Sequence, residues 1–315
     1  MRAPVDVIFP PVAPGQVPYW RLALRGCSQL CFQCNELTGL FFLAAAAVAS
    51  PLAAAYLLVA AAIAPGARWL MGDRAEVLET GLPGLNPCLI ALSLPAFFVT
   101  SWTDVGMWGV LVVSVVFAVV TTRVSLNLVP FPILAAPFLI VFWILDAVEP
   151  AFAVLQPVVF ASQPAVDIHP GVAILYSLGQ ALFSPNVISG ILFFVGLSLS
   201  NWRHGLLALF GAAIGTVVSA YNRSVVDLAS INHGLYGFNG VLAAVSTYVV
   251  CGSQLRLAIL GAMLATMLMP AIPELGVKTL SSPFVFTTWL MLALGWIDDK
   301  WFAPRPPDLP DSPAS

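Results

Sequence analysis

Apolar runs separated by short polar or proline-bearing breaks occupy most of the chain, and their spacing predicts a bundle of helices. Residues 38–50 and 51–65 read as two apolar helices meeting at Ser50-Pro51. A polar loop, GARWLMGDRAEVLET, follows over residues 66–80. Further helices are expected near residues 85–101, 105–121 and 132–148. The stretch 149–170, polar and rich in proline, reads as a joint. Beyond it the layout returns, with apolar runs near residues 187–199, 205–221, 234–250, 257–271 and 283–297. Five runs before the joint and five after it are an odd number each, so the second set would enter a bilayer with the opposite orientation.

The repetition extends to individual residues. RGCSQLCFQCNELTGLFFL (25–43) returns as SLGQALFSPNVISGILFF (177–194), which sets Gln29 on Gln180, Phe32 on Phe183, Asn35 on Asn186, Gly39 on Gly190 and Phe42 on Phe193. GLPGLNPCLIALSLP (81–95) matches GLYGFNGVLAAVSTY (234–248). NLVPFPILAAPFLIVFWIL (127–145) matches VKTLSSPFVFTTWLML (277–292), with Pro137-Phe138 on Pro283-Phe284 and Trp143 on Trp289. Three matched segments in the same order predict two related halves with a site between them. We set these as a first repeat over 1–160, a second over 161–303, and a short disordered tail over 304–315.

Composition identifies the solvent. The chain is 60% hydrophobic and 9% charged, against about 25% charged in soluble domains, and its mean hydropathy is +0.94. Too few charges exist to cover a water-facing surface of this size, so the fold class is an all-α integral membrane protein. The first 18 residues, with five prolines and no apolar run, do not read as a secretory signal. With the N-terminus in the cytoplasm, Arg2, Arg21, Arg25, Arg68, Arg74, Arg123, Arg203, Arg256, Lys300 and Arg305 fall inside, and Arg223 and Lys278 outside. That asymmetry is the one the positive-inside rule expects for ten transmembrane helices with both termini cytoplasmic. A net charge of −3 with no basic cluster argues against nucleic acid as a partner.

The candidate chemistry is neutral. Gln29 and Gln180 recur with an aromatic residue three positions later, a spacing that would set amide and ring on neighbouring parts of one helical face. An amide oxygen beside a flat apolar ring suits a small planar solute with N–H donors, although a glutamine can also simply tie helices together. Asn86 and Asn239 would either cap their helices or touch the solute. Pro130, Pro132, Pro137 and Pro283 would break the fifth and tenth helices and free carbonyls, to line a pore or to make a kink. Cys27, Cys31 and Cys34 have the C-x3-C-x2-C spacing of an iron–sulfur site. Their partners in the second copy are Leu178, Leu182 and Pro185, which bind no metal, so small apolar fillers are the better reading and no cofactor is expected. His169, His204 and His233 are scattered, and Asp104, Asp146, Glu149, Asp167 and Asp227 fall at helix ends. No enzyme constellation emerges, and the absence of ionisable groups at mid-membrane favours passive conduction over coupled transport.

Taken together, the RG-x-SQ-x-x-F-x-x-N segment with its second copy GQALF, GLYGFNGVL, VPFPILAAPF and TLSSPFVFTTW make the chain resemble the urea transporters over nearly its whole length. The resemblance implies two inverted repeats of five spans, each with a re-entrant pore helix, and one pore per subunit of a homotrimer in the bacterial inner membrane. It implies channel-like, gradient-driven passage of urea through ladders of oxygen ligands flanked by phenylalanines. Carried onto this chain, the filter positions are Gln29, Leu30, Phe32, Leu85, Leu89 and Ala135, then Gln180, Ala181, Phe183, Phe238, Leu242 and Ser281. Leu85 stands where an aromatic is expected, Ala135 where a threonine is, and Glu36 where proline is frequent, so the first half is the divergent one. The rival readings are a channel for a related amide or ammonia, a coupled carrier, and a membrane enzyme using the three cysteines.

Overall fold

The computed structural model describes residues 8–159, 167–222, 227–297 and 300–301. The described residues form helices and connecting turns, with one isolated bridge between Phe98 and Pro157. The first half contains α1 (Tyr19–Ser28), α2 (Glu36–Ala49), α3 (Pro51–Leu70), α4 (Ala75–Glu79), α5 (Leu85–Phe97), α6 (Val105–Leu128) and α7 (Ala136–Val148). The second contains α8 (Pro170–Gln180), α9 (Val187–Ser200), α10 (Trp202–Tyr221), α11 (Leu228–Asn232), α12 (Gly237–Val250), α13 (Leu255–Leu268) and α14 (Ser282–Ile297).

Equivalent helices start for equivalent reasons. Asn35 accepts from Thr38 N at 3.0 Å to cap α2, and Asn186 accepts from Ser189 N at 2.8 Å to cap α9. Ser50 caps α3 and Asn201 caps α10 in the same way. Each side-chain oxygen satisfies a backbone donor that the first turn leaves free.

Three boundaries depart from the apolar pattern. Helix α3 runs through Pro65 to Leu70, five residues into the expected loop, and α6 runs past residue 121 to Leu128. The polar letters there mark charges paired inside the protein. Arg68 and Arg123 both hold the buried Asp73 carboxylate, the second at 2.7 Å. Helix α7 begins at Ala136, so Pro130 and Pro132 precede it and Pro137 lies in its first turn; Pro283 lies likewise in the first turn of α14. These prolines therefore open helices where the missing N–H costs nothing. The segment expected to be a disordered tail, 304–315, lies outside the described residues.

Among the described residues three helices, α3, α6 and α10, are long and apolar enough to cross a membrane. The pair α1 and α2, bent by 73° at their junction, passes the same test together. Helices α5, α9, α12, α13 and α14 are apolar but shorter. Thirteen residues in α5 reach about 20 Å at 1.5 Å per residue.

The contacts between halves are reciprocal. Phe42 stacks on Phe193, its own repeat partner, with centroids 4.9 Å apart and planes 8° from parallel. On either side Thr38 Oγ1 donates to Gly196 O at 2.7 Å and Ser189 Oγ donates to Ala45 O at 2.6 Å. Trp143 Nε1 donates to Lys278 O at 2.9 Å, and Trp289 Nε1 to Pro132 O at 2.8 Å. Inside each half, α1 lies against α2 and α8 against α9 at a glycine. A Cβ at Gly39 would sit 2.0 Å from Leu24 O, and one at Gly190 would sit 2.0 Å from Leu175 O. Only a residue without a side chain permits that approach.

Candidate functional site

Helix α1 ends in a 3-10 turn, Gln29–Cys31, and the next residue, Phe32, is left-handed at φ 58°. Helix α8 ends at Gln180, and Phe183 is left-handed at φ 53°. Phe32 N donates to Gln29 O and Phe183 N to Gln180 O, both at 2.9 Å. Glutamine and phenylalanine are therefore not on one helical face, as their spacing suggested. The helix stops between them, and the turn aims the ring separately from the amide. A left-handed phenylalanine costs on the order of 1–3 kcal/mol, and two at matched positions mark both turns as places where ring direction matters.

A second left-handed pair supports the first. Leu134 (φ 51°) and Leu280 (φ 45°) precede α7 and α14. Asn86 holds the first: its Nδ2 donates to Leu134 O at 3.3 Å, and its Oδ1 accepts from Phe138 N at 3.0 Å. Asn239 holds the second, donating to Leu280 O at 2.9 Å and accepting from Phe284 N at 3.2 Å. These asparagines thus clamp the start of another helix, using both ends of the amide. The carbonyls one turn before Pro137 and Pro283, Ile133 O and Thr279 O, accept from Ala136 N and Ser282 N at 3.1 Å each, so neither is left free toward a pore.

The clamped helices present Phe138 and Phe284 to the opposite half. Phe32 meets Phe284 edge-on at 6.3 Å, and Phe183 meets Phe138 edge-on at 6.2 Å. Each turn therefore rests its ring on a helix from the other repeat. Phe183 also meets Phe97 at 6.2 Å; the matching position in the second half is Val250. Helix α5 packs against the Gln29–Cys31 turn and brings its last residue, Phe97, to Phe183. Phe138, Phe284 and Phe97 were not among the residues singled out from sequence, although the matched Pro-Phe pairs carried the signal for two of them.

All the apolar filter candidates (Leu30, Phe32, Leu85, Leu89, Ala135, Ala181, Phe183, Phe238 and Leu242) belong to one continuous core. In the first turns of α5 a trace of exposure remains at Leu85 and Leu89, 5% each, against 0% at Cys88, Ile90 and Ala91. In the first turns of α12 it remains at Phe238 (7%) and Leu242 (4%), against 0% at Val241 and Ala243. Matched positions four apart at the start of each helix thus keep this trace of exposure. The polar candidates differ in their bonding. Gln29 is anchored by donating from Nε2 to Thr80 O at 2.6 Å. Among the described residues the buried oxygens Gln180 Oε1 and Ser281 Oγ have no hydrogen-bond partner, as is also true of Tyr56 Oη and of Thr122, Thr247 and Thr287 Oγ1 elsewhere in the core. The Leu30 and Ala181 carbonyls accept no hydrogen bond from the described residues. Unsatisfied acceptors in an apolar core cost about 1–3 kcal/mol each and call for an occupant that donates. Ala135, 1% exposed, supplies no such group in the first half.

Charge stands at the margins. Lys278 pairs with Asp146 at 2.6 Å and lies over the Phe97 ring at 5.4 Å. Glu36, 3% exposed, accepts from both Arg21 Nε and Arg25 Nε at 2.8 Å, while Arg25 also donates to Glu79 O at 2.7 Å. Cys27 and Cys31 are fully buried and Cys34 is exposed; among the described residues no three His, Cys, Asp or Glu side chains converge as a metal set. An apolar cavity of about 180 Å³ lies between α10, α12 and α13, bounded by Leu207, Phe210, Ala244 and Ile259, and none of the filter candidates borders it.

No curated protein matches the chain. Compared with protein families, the chain matches the family model described as urea transporter over residues 20–295.

Proposed function

The chain belongs to the urea transporter family, and on that premise we propose that it conducts urea passively through the space between the two left-handed turns. It is a multi-pass membrane transporter of urea, not an enzyme. In the proposed architecture ten spans form two inverted repeats of five, the first over 1–160 and the second over 161–303. Each repeat carries one re-entrant helix, α1 or α8. The reciprocal contacts about Phe42 and Phe193 support that arrangement, because exchanging the halves returns the same set of bonds. Both termini are assigned to the cytoplasm, the membrane is the bacterial inner membrane, and the working unit is a homotrimer.

The observation that carries the reading is the pair of unpartnered buried oxygens, Gln180 Oε1 and Ser281 Oγ, beside crossed phenylalanines in an otherwise apolar core. Urea has four N–H donors on a flat frame. It would give them to these oxygens, to Gln29, and to the Leu30 and Ala181 carbonyls. Its faces would slide against Phe32, Phe183 and Phe238, with Leu85, Leu89 and Leu242 completing the apolar lining. A bare ion gains no charge to replace its hydration there. The two buried carboxylates described above, Glu36 and Asp73, are each committed to two arginines, so neither is free to carry a proton or sodium ion.

Stopped-flow light scattering on proteoliposomes tests this directly. Urea permeability should exceed that of protein-free vesicles, saturate weakly, and be indifferent to ionophores that collapse proton and sodium gradients. Absence of acceleration, or dependence on either gradient, refutes passive urea conduction. A related small amide is the second reading, favoured by Leu85 and Ala135, which make the first half less aromatic and less polar. A panel of urea, acetamide and ammonia separates the two.

A further inference from the structure

Gln33 directly follows Phe32 and is 4% exposed. Its amide is held at three points. Nε2 donates to the Cys31 carbonyl at 2.8 Å and lies 2.9 Å from His204 Nδ1, while Oε1 accepts from Ser200 Oγ at 2.9 Å. The contact from His204 Nδ1 to Oε1 is longer, 3.3 Å. The two amide hydrogens therefore go to Cys31 O and to His204 Nδ1, with the imidazole accepting. Ser200 and His204 belong to α9 and α10, on the other half of the chain. The Tyr248 ring stands edge-on to the imidazole at 5.9 Å; with Nδ1 accepting, Nε2 carries the proton, so Asn201 Nδ2, 3.3 Å away, is a neighbour and not a hydrogen-bond partner.

The Cys31 carbonyl belongs to the peptide that enters Phe32. Fixing that plane fixes the bond about which the φ of 58° is set. The second copy does the same job differently: Ser184 Oγ donates to Leu182 O at 3.0 Å, the equivalent carbonyl before Phe183, and the device closes within its own turn. The first turn uses a longer side chain and relies on a residue outside it.

We propose that His204 is a positioning residue for the first filter turn: acting through Gln33, it holds the Cys31–Phe32 peptide and so the Phe32 ring against Phe284. The proposal rests on the transport reading where flux is measured, and a second readout is independent of it. Wild type, His204→Leu, His204→Gln, Gln33→Ser and the double variant Gln33→Ser/His204→Leu are compared in proteoliposomes with urea and N-methylurea. Hydrogen exchange is followed in peptides covering residues 28–35 and 179–186. His204→Leu should raise exchange in the first peptide and leave the second unchanged. It should also lower the urea to N-methylurea permeability ratio by roughly threefold to tenfold, the span of one neutral hydrogen bond. His204→Gln, whose side-chain oxygen can accept from Gln33, should stay near wild type. In the Gln33→Ser background, which copies the second turn, loss of His204 should have no added effect. Unchanged exchange in His204→Leu, a His204→Gln variant as impaired as His204→Leu, or multiplying effects in the double variant would overturn the proposal. Absence of urea flux in the wild type refutes the transport reading alone, because the exchange results decide the positioning role without it.

Discussion

Replacing Asn239 by alanine removes three hydrogen bonds at once from a fully buried site, one of them a weak bond to Met269 Sδ. Nδ2 no longer reaches Leu280 O, and Phe284 N loses its acceptor. Asn239 itself is 0% exposed, so water does not reach the orphaned groups without opening the core. Two buried groups left unsatisfied at about 1–3 kcal/mol each give a loss on the order of 2–6 kcal/mol. The same clamp holds Leu280 at φ 45° and directs Phe284 onto Phe32, so urea flux should fall with stability. Asn86→Ala should follow the same pattern with a smaller loss, because its donor bond is longer, 3.3 Å against 2.9 Å. Thermal unfolding in detergent, read by fluorescence, and flux at matched incorporation check both. If Asn239→Ala unfolds at the wild-type midpoint with normal flux, the clamp is not what sets the helix start, and the argument linking Asn239 to Phe284 fails.

The remaining expectations follow the same geometry. Ser281→Ala deletes a buried hydroxyl with no partner, so stability should hold or rise by about 1 kcal/mol while urea permeability falls; a stability loss in thermal unfolding would mean that the hydroxyl has a partner inside the protein. Gly39→Ala drives a methyl group to 2.0 Å from Leu24 O and should cost roughly 3 kcal/mol or more. Gly109→Ala in α6, where a Cβ meets nothing within 4 Å, should instead stabilise by about 0.5–1 kcal/mol, and unfolding midpoints of opposite sign check the pair. Glu36→Gln leaves Arg21 and Arg25 facing a neutral group in a site only 3% exposed. It should cost on the order of 3–5 kcal/mol and lower the yield of folded protein by size-exclusion chromatography.

Much of this protein was legible in its sequence because lipid leaves a chain few choices. Apolar length and scarcity of charge dictate helices, and the return of Gln29, Phe32, Asn35, Gly39 and Phe42 as Gln180, Phe183, Asn186, Gly190 and Phe193 is a repeat legible in the letters themselves. The match of Asn35 with Asn186 and of Phe42 with Phe193 was visible in the sequence; that the asparagines cap α2 and α9 and that the two rings stack was not. Helical periodicity, however, says nothing about where a helix stops within an apolar run. The left-handed turns at Phe32 and Phe183 were therefore invisible, and with them the true direction of both rings. Nor could one dimension show that Asn86 and Asn239 reach some 50 and 40 residues ahead to hold another helix, or that Glu36 sits between two arginines. Those roles depend on which groups the packed core brings within bonding distance after water has been excluded, and tertiary structure alone decides that.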